Sequence, residues 1–114
     1  MIPRLVILES PYAGATQEEL NRNAEYTRRA LRDSLLRGES PLASHVTYTA
    51  PGVLDDTDRD ERMLGISAGL AWGTVAQGAV VYTDLGITPG MKLGIRRHMT
   101  NGVPIQYRQI GAET

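Results

Sequence analysis

The chain has 114 residues, 41% of them hydrophobic, and a formal net charge of −1 at pH 7. That length supports one compact domain rather than two, and the interspersed, near-neutral charge argues against a nucleic-acid-binding surface or a membrane-surface patch. The chain has no cysteine, which excludes disulfides, thiolate chemistry and cysteine-based zinc sites.

With no Phe and one Trp, the core must be built mostly of Leu, Ile, Val, Ala and Met. The first element in chain order is the apolar run Leu5-Val6-Ile7-Leu8, which reads as a central strand. The run is too short for a signal-sequence core or a membrane span. Glu9-Ser10-Pro11-Tyr12-Ala13-Gly14 follows as a loop. Ser10, Tyr12 and Gly14 after a buried strand are expected to line a ligand, the alternative being that Tyr12 packs over the sheet end.

Residues 16–37 form the first predicted helix, with Thr16 and Glu19 in a capping box. Its inward stripe is expected to be Leu20, Ala24, Thr27, Leu31 and Leu35, its arginines a solvated face, and Gly38 its stop. Residues 41–43 read as a short edge strand, followed by Ser44, His45 and Tyr48. His45 is either a hydrogen-bonded structural residue or a functional one, since it falls at the presumed ligand end. The acidic run at 55–61 reads as decoration of a helix start, and no metal site is expected there.

A second long helix is predicted over about 58–76, with Leu64, Ala68, Ala71 and Val75 in one stripe. Gly65, Gly69 and Gly73 recur every four residues, each costing roughly 1 kcal/mol of helix propensity against Ala. Such a row lets another backbone come close, either the sheet or the same helix of a second subunit. The expected partner is a second copy, in a homodimer or higher homo-oligomer.

Ala79-Val80-Val81-Tyr82-Thr83 is the other buried strand. After Asp84 and Gly86, Thr88 is a good N-cap and Pro89 suits the first helical position, so a helix starts over the strand end. Such a start attracts an anion or a polar ligand group, and Gly90 leaves room for it. This third helix runs from 88 to about 100, ends at Asn101-Gly102, and is followed by an edge strand at 103–108 that opens with Pro104.

Strands alternate with helices, so the expected architecture is α/β: a flavodoxin-like parallel sheet of about four strands, order 2-1-3-4, with helices on both faces. The domain spans 1–110, with a loose tail at 111–114. The switch point brings the loops at 9–14 and 84–90 together, with His45 and Asp55-Asp56 approaching from the side.

Ser10-Pro11-Tyr12-Ala13-Gly14 after the first strand resembles the corresponding loop of nucleoside 2-deoxyribosyltransferase-like proteins. Gly86-Ile87-Thr88-Pro89-Gly90 resembles their glycine-bracketed strand-to-helix turn. The resemblance covers nearly the whole chain in order and spacing, and extends to a small branch found in bacteriophages and bacteria. It implies a Rossmann-like fold, a nucleoside or nucleotide ligand, and often dimers or larger assemblies; no cofactor is expected. A cytoplasmic protein is expected, in the host cytoplasm if phage-encoded. In active members a glutamate four residues after the turn's second glycine attacks the deoxyribose. Here that position is Gly94, and no Asp or Glu occurs between Asp84 and Glu113.

The leading expectation is therefore a noncatalytic nucleoside or nucleotide binder. Its ligand-facing residues would be Ser10, Tyr12, Gly14, His45, Asp84, Gly86, Thr88, Gly90 and Met91, with Asp84 or Asp56 accepting from ribose hydroxyls. A second reading is an N-glycosidase or deoxyribosyltransferase using a relocated carboxylate, Glu9, Asp56 or Asp84, with His45 as the acid. A third is an interaction protein acting through the Gly65, Gly69 and Gly73 face.

Overall fold

The computed structural model describes residues 2–111. Strands β1 (Arg4–Glu9), β2 (Glu39–Leu42), β3 (Gly78–Tyr82) and β4 (Ile105–Arg108) form one sheet of order β2-β1-β3-β4. Every neighbouring pair is parallel. Helices α1 (Gln17–Leu36), α2 (Ser44–Tyr48), α3 (Arg59–Trp72) and α4 (Pro89–Thr100) complete the domain. The α/β class and the 2-1-3-4 order are those that the alternation of elements predicts. Of the expected tail at 111–114, residues 112–114 lie outside the described residues; Gly111 donates its N–H to Asp33 Oδ1 at 3.2 Å.

Side chains alternate across a strand, and the register Leu8–Val80 and Tyr82–Arg108 puts the even-numbered residues of β1, β3 and β4 on one face. There Val6, Leu8, Val80 and Tyr82 pack with Tyr26 and Ala30 of α1. On the other face Val81 packs with Met91 and Ile95 of α4 and with Ile105. Each of these large side chains stabilises the fold by roughly 1.5–3 kcal/mol through burial.

Three helical details differ from the sequence expectation. The buried face of α1 is Asn23, Tyr26, Thr27, Ala30 and Ser34, whereas Leu35 is 59% exposed. The polar members are tolerated inside because they are bonded: Asn23 Nδ2 donates to the carbonyls of Tyr12 and Ala13, and Ser34 Oγ to Glu39 Oε1. Second, only half of the capping box forms. Thr16 Oγ1 accepts the Glu19 N–H, but Glu19 Oε2 takes the N–H of Ala15, one residue ahead of the cap. Third, α2 is an extra helix of 5 residues without a side-chain cap; its short polar stretch carries no helical hydrophobic period to reveal it.

Helix α3 ends at Trp72 rather than near 76 and holds no buried residue. Leu64 is 62% and Val75 57% exposed, so the predicted stripe does not face the core. The close approach implied by the glycines is made within the chain, by α2 and the loop after it. A Cβ at Gly69 would lie 2.6 Å from Ser44 Oγ, and one at Gly65 3.3 Å from Leu54 Cδ1. Trp72 Nε1 closes this contact by donating to Tyr48 Oη at 2.8 Å. Beside α3 lies an apolar groove of about 220 Å³, lined in part by Leu5, Ile7, Leu42, Trp72 and Val75.

A polar network under α1 joins the two edge strands. Arg108 of β4 forms a fork with Glu39 of β2, Nη1–Oε1 at 2.7 Å and Nη2–Oε2 at 2.6 Å. Arg108 Nη1 also donates to Tyr82 Oη at 3.2 Å, and Tyr82 Oη donates to Asp33 Oδ2 of α1 at 2.7 Å. The Arg108 guanidinium holds the Glu39 carboxyl below its ordinary range, against the opposing effect of burial. Burial pushes Asp33 up, but hydrogen bonds from Tyr82, Arg37 and the Gly111 N–H outweigh it and hold that carboxyl low as well.

Both carboxyls are depressed in the folded state, so their contribution to stability is present above their unfolded pKa values. It is lost as pH falls through the folded ones. We predict that unfolding free energy, measured by urea titration, declines below about pH 4.5. Glu39→Gln should cost about 3–5 kcal/mol at neutral pH, because it leaves the Arg108 charge buried without its partner. Unchanged stability in that variant would refute the role of the pair.

Candidate functional site

The candidate site lies at the carboxyl ends of β1 and β3, the switch point of the sheet. Strand β1 ends on Glu9 and is followed directly by Ser10, and continued alternation sends the two polar residues to opposite faces. Glu9, opposite Val81 in the register, turns to α4. Its Oε2 lies 2.7 Å from Nε2 of His98, and the two side chains are only 17% and 7% exposed. The same carboxylate fills the space beside Gly94: a Cβ there would lie 2.5 Å from Oε2 and 2.8 Å from Cδ. Gly94 and His98 are four residues apart and thus neighbours on the helix surface. Together α4 offers Glu9 a notch and a bonding partner, and no described residue donates a hydrogen bond to Glu9 Oε1.

Ser10 turns the other way, towards α1. Its Oγ lies 2.7 Å from Thr27 Oγ1 and 3.1 Å from His45 Nε2. Tyr12 meets the His45 ring edge to face, with centroids 5.6 Å apart. Asn23 holds the carbonyls of Tyr12 and Ala13, so the loop after β1 is tied to α1. Burial lowers the His45 pKa, and the nearby Glu9 charge only partly opposes this. The ring is therefore neutral at pH 7, unsuited to start as the acid for a departing base.

The turn after β3 is built differently. Burial and the Asp84 carboxylate hold the Tyr26 phenol well above its ordinary pKa. Tyr26 Oη donates to Asp84 Oδ1, and Asp84 Oδ1 also accepts the N–H of Ile110 at 3.1 Å. Asp84 thus clamps the turn to α1 and to the segment after β4, on the sheet face opposite Glu9. Gly86 adopts φ +88° with open space around it, the left-handed conformation that glycine alone adopts freely. Thr88 Oγ1 caps α4 by accepting the Met91 N–H at 3.2 Å. Beside Gly90 the closest atom to an added Cβ is Thr88 Oγ1 at 3.9 Å, so the helix start is open.

The sequence-predicted residues therefore separate into groups. Glu9, Ser10, Tyr12, His45 and Gly94 gather around the end of β1. Gly86, Thr88 and Gly90 form the open turn at the start of α4. Met91, expected to face the ligand, is instead a core residue, 2% exposed beneath the sheet. Gly14 is set by packing: a Cβ there would meet Glu19 Cβ at 2.7 Å. Asp55 is spent on Thr57, whose N–H and Oγ1 both donate to its Oδ1. No described hydrogen bond or ion pair carries Asp56 to the strand ends. His98 was not anticipated, and Thr27 was expected to face inward but not to bond Ser10; the four-residue spacing of His98 from Gly94 was the available signal. Among the described residues no group of three or more His, Asp or Glu could hold a metal ion, and no helix is long and apolar enough to cross a membrane.

If Asp84 is a clamp, Asp84→Asn should lower stability by about 1–3 kcal/mol, since it weakens bonds to a buried hydroxyl and a backbone N–H. It should also bring the Tyr26 titration down towards the ordinary phenol range, since the neighbouring negative charge is removed. Phenolate absorbance, compared with Tyr26→Phe, checks both the assignment and the direction.

No curated protein matches the chain. A family does match over residues 4–108, which takes in every strand and helix of the fold; its description is a domain of unknown function (DUF7768). The chain belongs to that family.

Proposed function

We propose that this protein binds a nucleoside or nucleotide derivative across the carboxyl ends of β1 and β3, with the Glu9 carboxylate accepting from a sugar hydroxyl. The observation that carries the reading is the seat of Glu9 in the notch beside Gly94. The resemblance to nucleoside 2-deoxyribosyltransferase-like proteins puts the sugar-attacking glutamate at position 94. In this chain a carboxylate reaches the same space from β1. The open start of α4 at Thr88 and Gly90 suits a phosphate or another polar ligand group. Tyr12, braced by His45, offers a wall for a base or sugar. Asp84, engaged by Tyr26 and Ile110, is left out of the ligand set. We assign this activity to the cytoplasm, in keeping with a cysteine-free chain.

The same carboxylate supports the second reading, slow hydrolysis of an N-glycosidic bond with Glu9 in the attacking role. Three features favour binding over turnover. Oε2 is already committed to His98, Asp84 is engaged by Tyr26 and the Ile110 N–H, and His45 is neutral. Self-association, which the resemblance implies, would use the outward side of α3, where Met63 and Leu64 are exposed, because α2 covers the glycine side. Light scattering that finds only monomer would remove that element of the reading.

A thermal-shift screen over nucleosides and their mono- and diphosphates tests the binding, since a ligand that prefers the native state raises its stability. We expect at least one of these compounds to stabilise the wild type, and Glu9→Gln to weaken that compound. Chromatography of the same mixtures should show no base exchange and at most slow release of free base. A screen without any shift would overturn the reading, and fast turnover abolished by Glu9→Gln would replace it with the hydrolytic one.

A further inference from the structure

We propose that His98 is a positioning residue, which holds Glu9 by one oxygen so that the other faces the ligand. This inference rests on the reading that Glu9 meets the sugar of a nucleoside or nucleotide derivative.

A glutamate at a strand end has several rotatable bonds and, left alone, samples many positions. Here its Oε2 is held 2.7 Å from His98 Nε2, the length of a charge-assisted bond. His98 is itself fixed. It is 6% exposed, and its carbonyl accepts the Val103 N–H at 2.9 Å. Gly94, one helical turn earlier, contributes space, because a Cβ there would press on Oε2 at 2.5 Å. The bond and the notch select one carboxylate position between them. Oε1, with no donor among the described residues, is left to accept from a hydroxyl. On this account an apolar side chain at 98 frees Glu9 to move, and any side chain at 94 displaces it, although neither residue touches the ligand.

The experiment compares the wild type with His98→Gln, His98→Met and Gly94→Ala. Glutamine can place an amide N–H close to the position of Nε2, whereas methionine fills similar space without a donor. The first readout needs no ligand: nuclear Overhauser contacts between the Glu9 side-chain methylenes and the Gly94 α-protons. They should persist in His98→Gln and vanish in His98→Met. The second is affinity for 2′-deoxynucleosides and their 5′-monophosphates. It should stay within about threefold of wild type in His98→Gln and fall about tenfold or more in His98→Met, the scale expected for a hydrogen bond to a charged group.

Contacts that survive in His98→Met, or equal loss of affinity in the Gln and Met variants, would overturn the positioning role. If His98→Met does not fold, Gly94→Ala carries the test, and wild-type affinity in that variant overturns the proposal. If the wild type binds none of these probes, the functional reading fails, while the Overhauser contacts still decide whether His98 holds Glu9.

Discussion

The pair between Arg108 and Glu39 is the constraint on which the remaining architecture depends. It joins the outer strands β4 and β2 beneath α1 through two parallel bonds, with the guanidinium only 2% exposed. A buried charge is expensive unless it is paired and its remaining protons are used. The surroundings meet most of that demand: Tyr82 and Gln106 accept further Arg108 protons, and Ser34 donates to Glu39. One protein donor, Arg108 Nε, has no partner among the described residues. Apolar residues of similar size could stabilise the domain equally well, but they would not tie both edge strands to one helix. The pair thus links β2 and β4 across the α1 face of the two central strands.

With the edges fixed, the sheet divides the chemistry between its faces. The α1 face holds the hydrogen-bonded residues Thr27, Asn23 and Asp33, and it receives Ser10 and Asp84. The α4 face is drier, and its principal polar feature near the strand ends is Glu9 with His98. The alternation of one strand end, residue 9 against residue 10, sets this division. It also separates Glu9 from Asp84, which a linear reading of strand ends would place together. A carboxylate pair suited to glycosyl transfer flanks the scissile bond with both groups free to act on it, and Asp84 is instead engaged by Tyr26 and Ile110.

Glycine has three separate uses here. Gly86 supplies a positive φ in the turn after β3. Gly69 makes room for Ser44 of α2, and Gly94 makes room for a carboxylate. Their spacing in sequence does not distinguish these uses, since each is defined by what stands opposite. The row on α3 shows this well. It predicts a close approach correctly, yet the approaching partner is a 5-residue helix of the same chain, one with no hydrophobic period of its own.

The sequence by itself determined the α/β class, the strand order and the polar turn at each central strand's end. Those features follow from local patterns: uncharged β-branched runs, an N-cap followed by proline, and alternation of element types. It also marked Glu9, Ser10, His45 and position 94 as the places to look. Only the tertiary structure decided which of them meet. The buried face of α1 is polar because its bonds are to residues outside the helix, such as Glu39 and Ser10. Those partners are invisible to a periodicity argument that scores side chains by hydrophobicity. Met91 moved into the core, and Leu64 and Leu35 moved out, for a related reason: burial depends on which neighbour covers a side chain, and helix period alone does not specify that neighbour. The pairing of Glu9 with His98 spans 89 positions and exists only because parallel strand pairing brings β1 and α4 together.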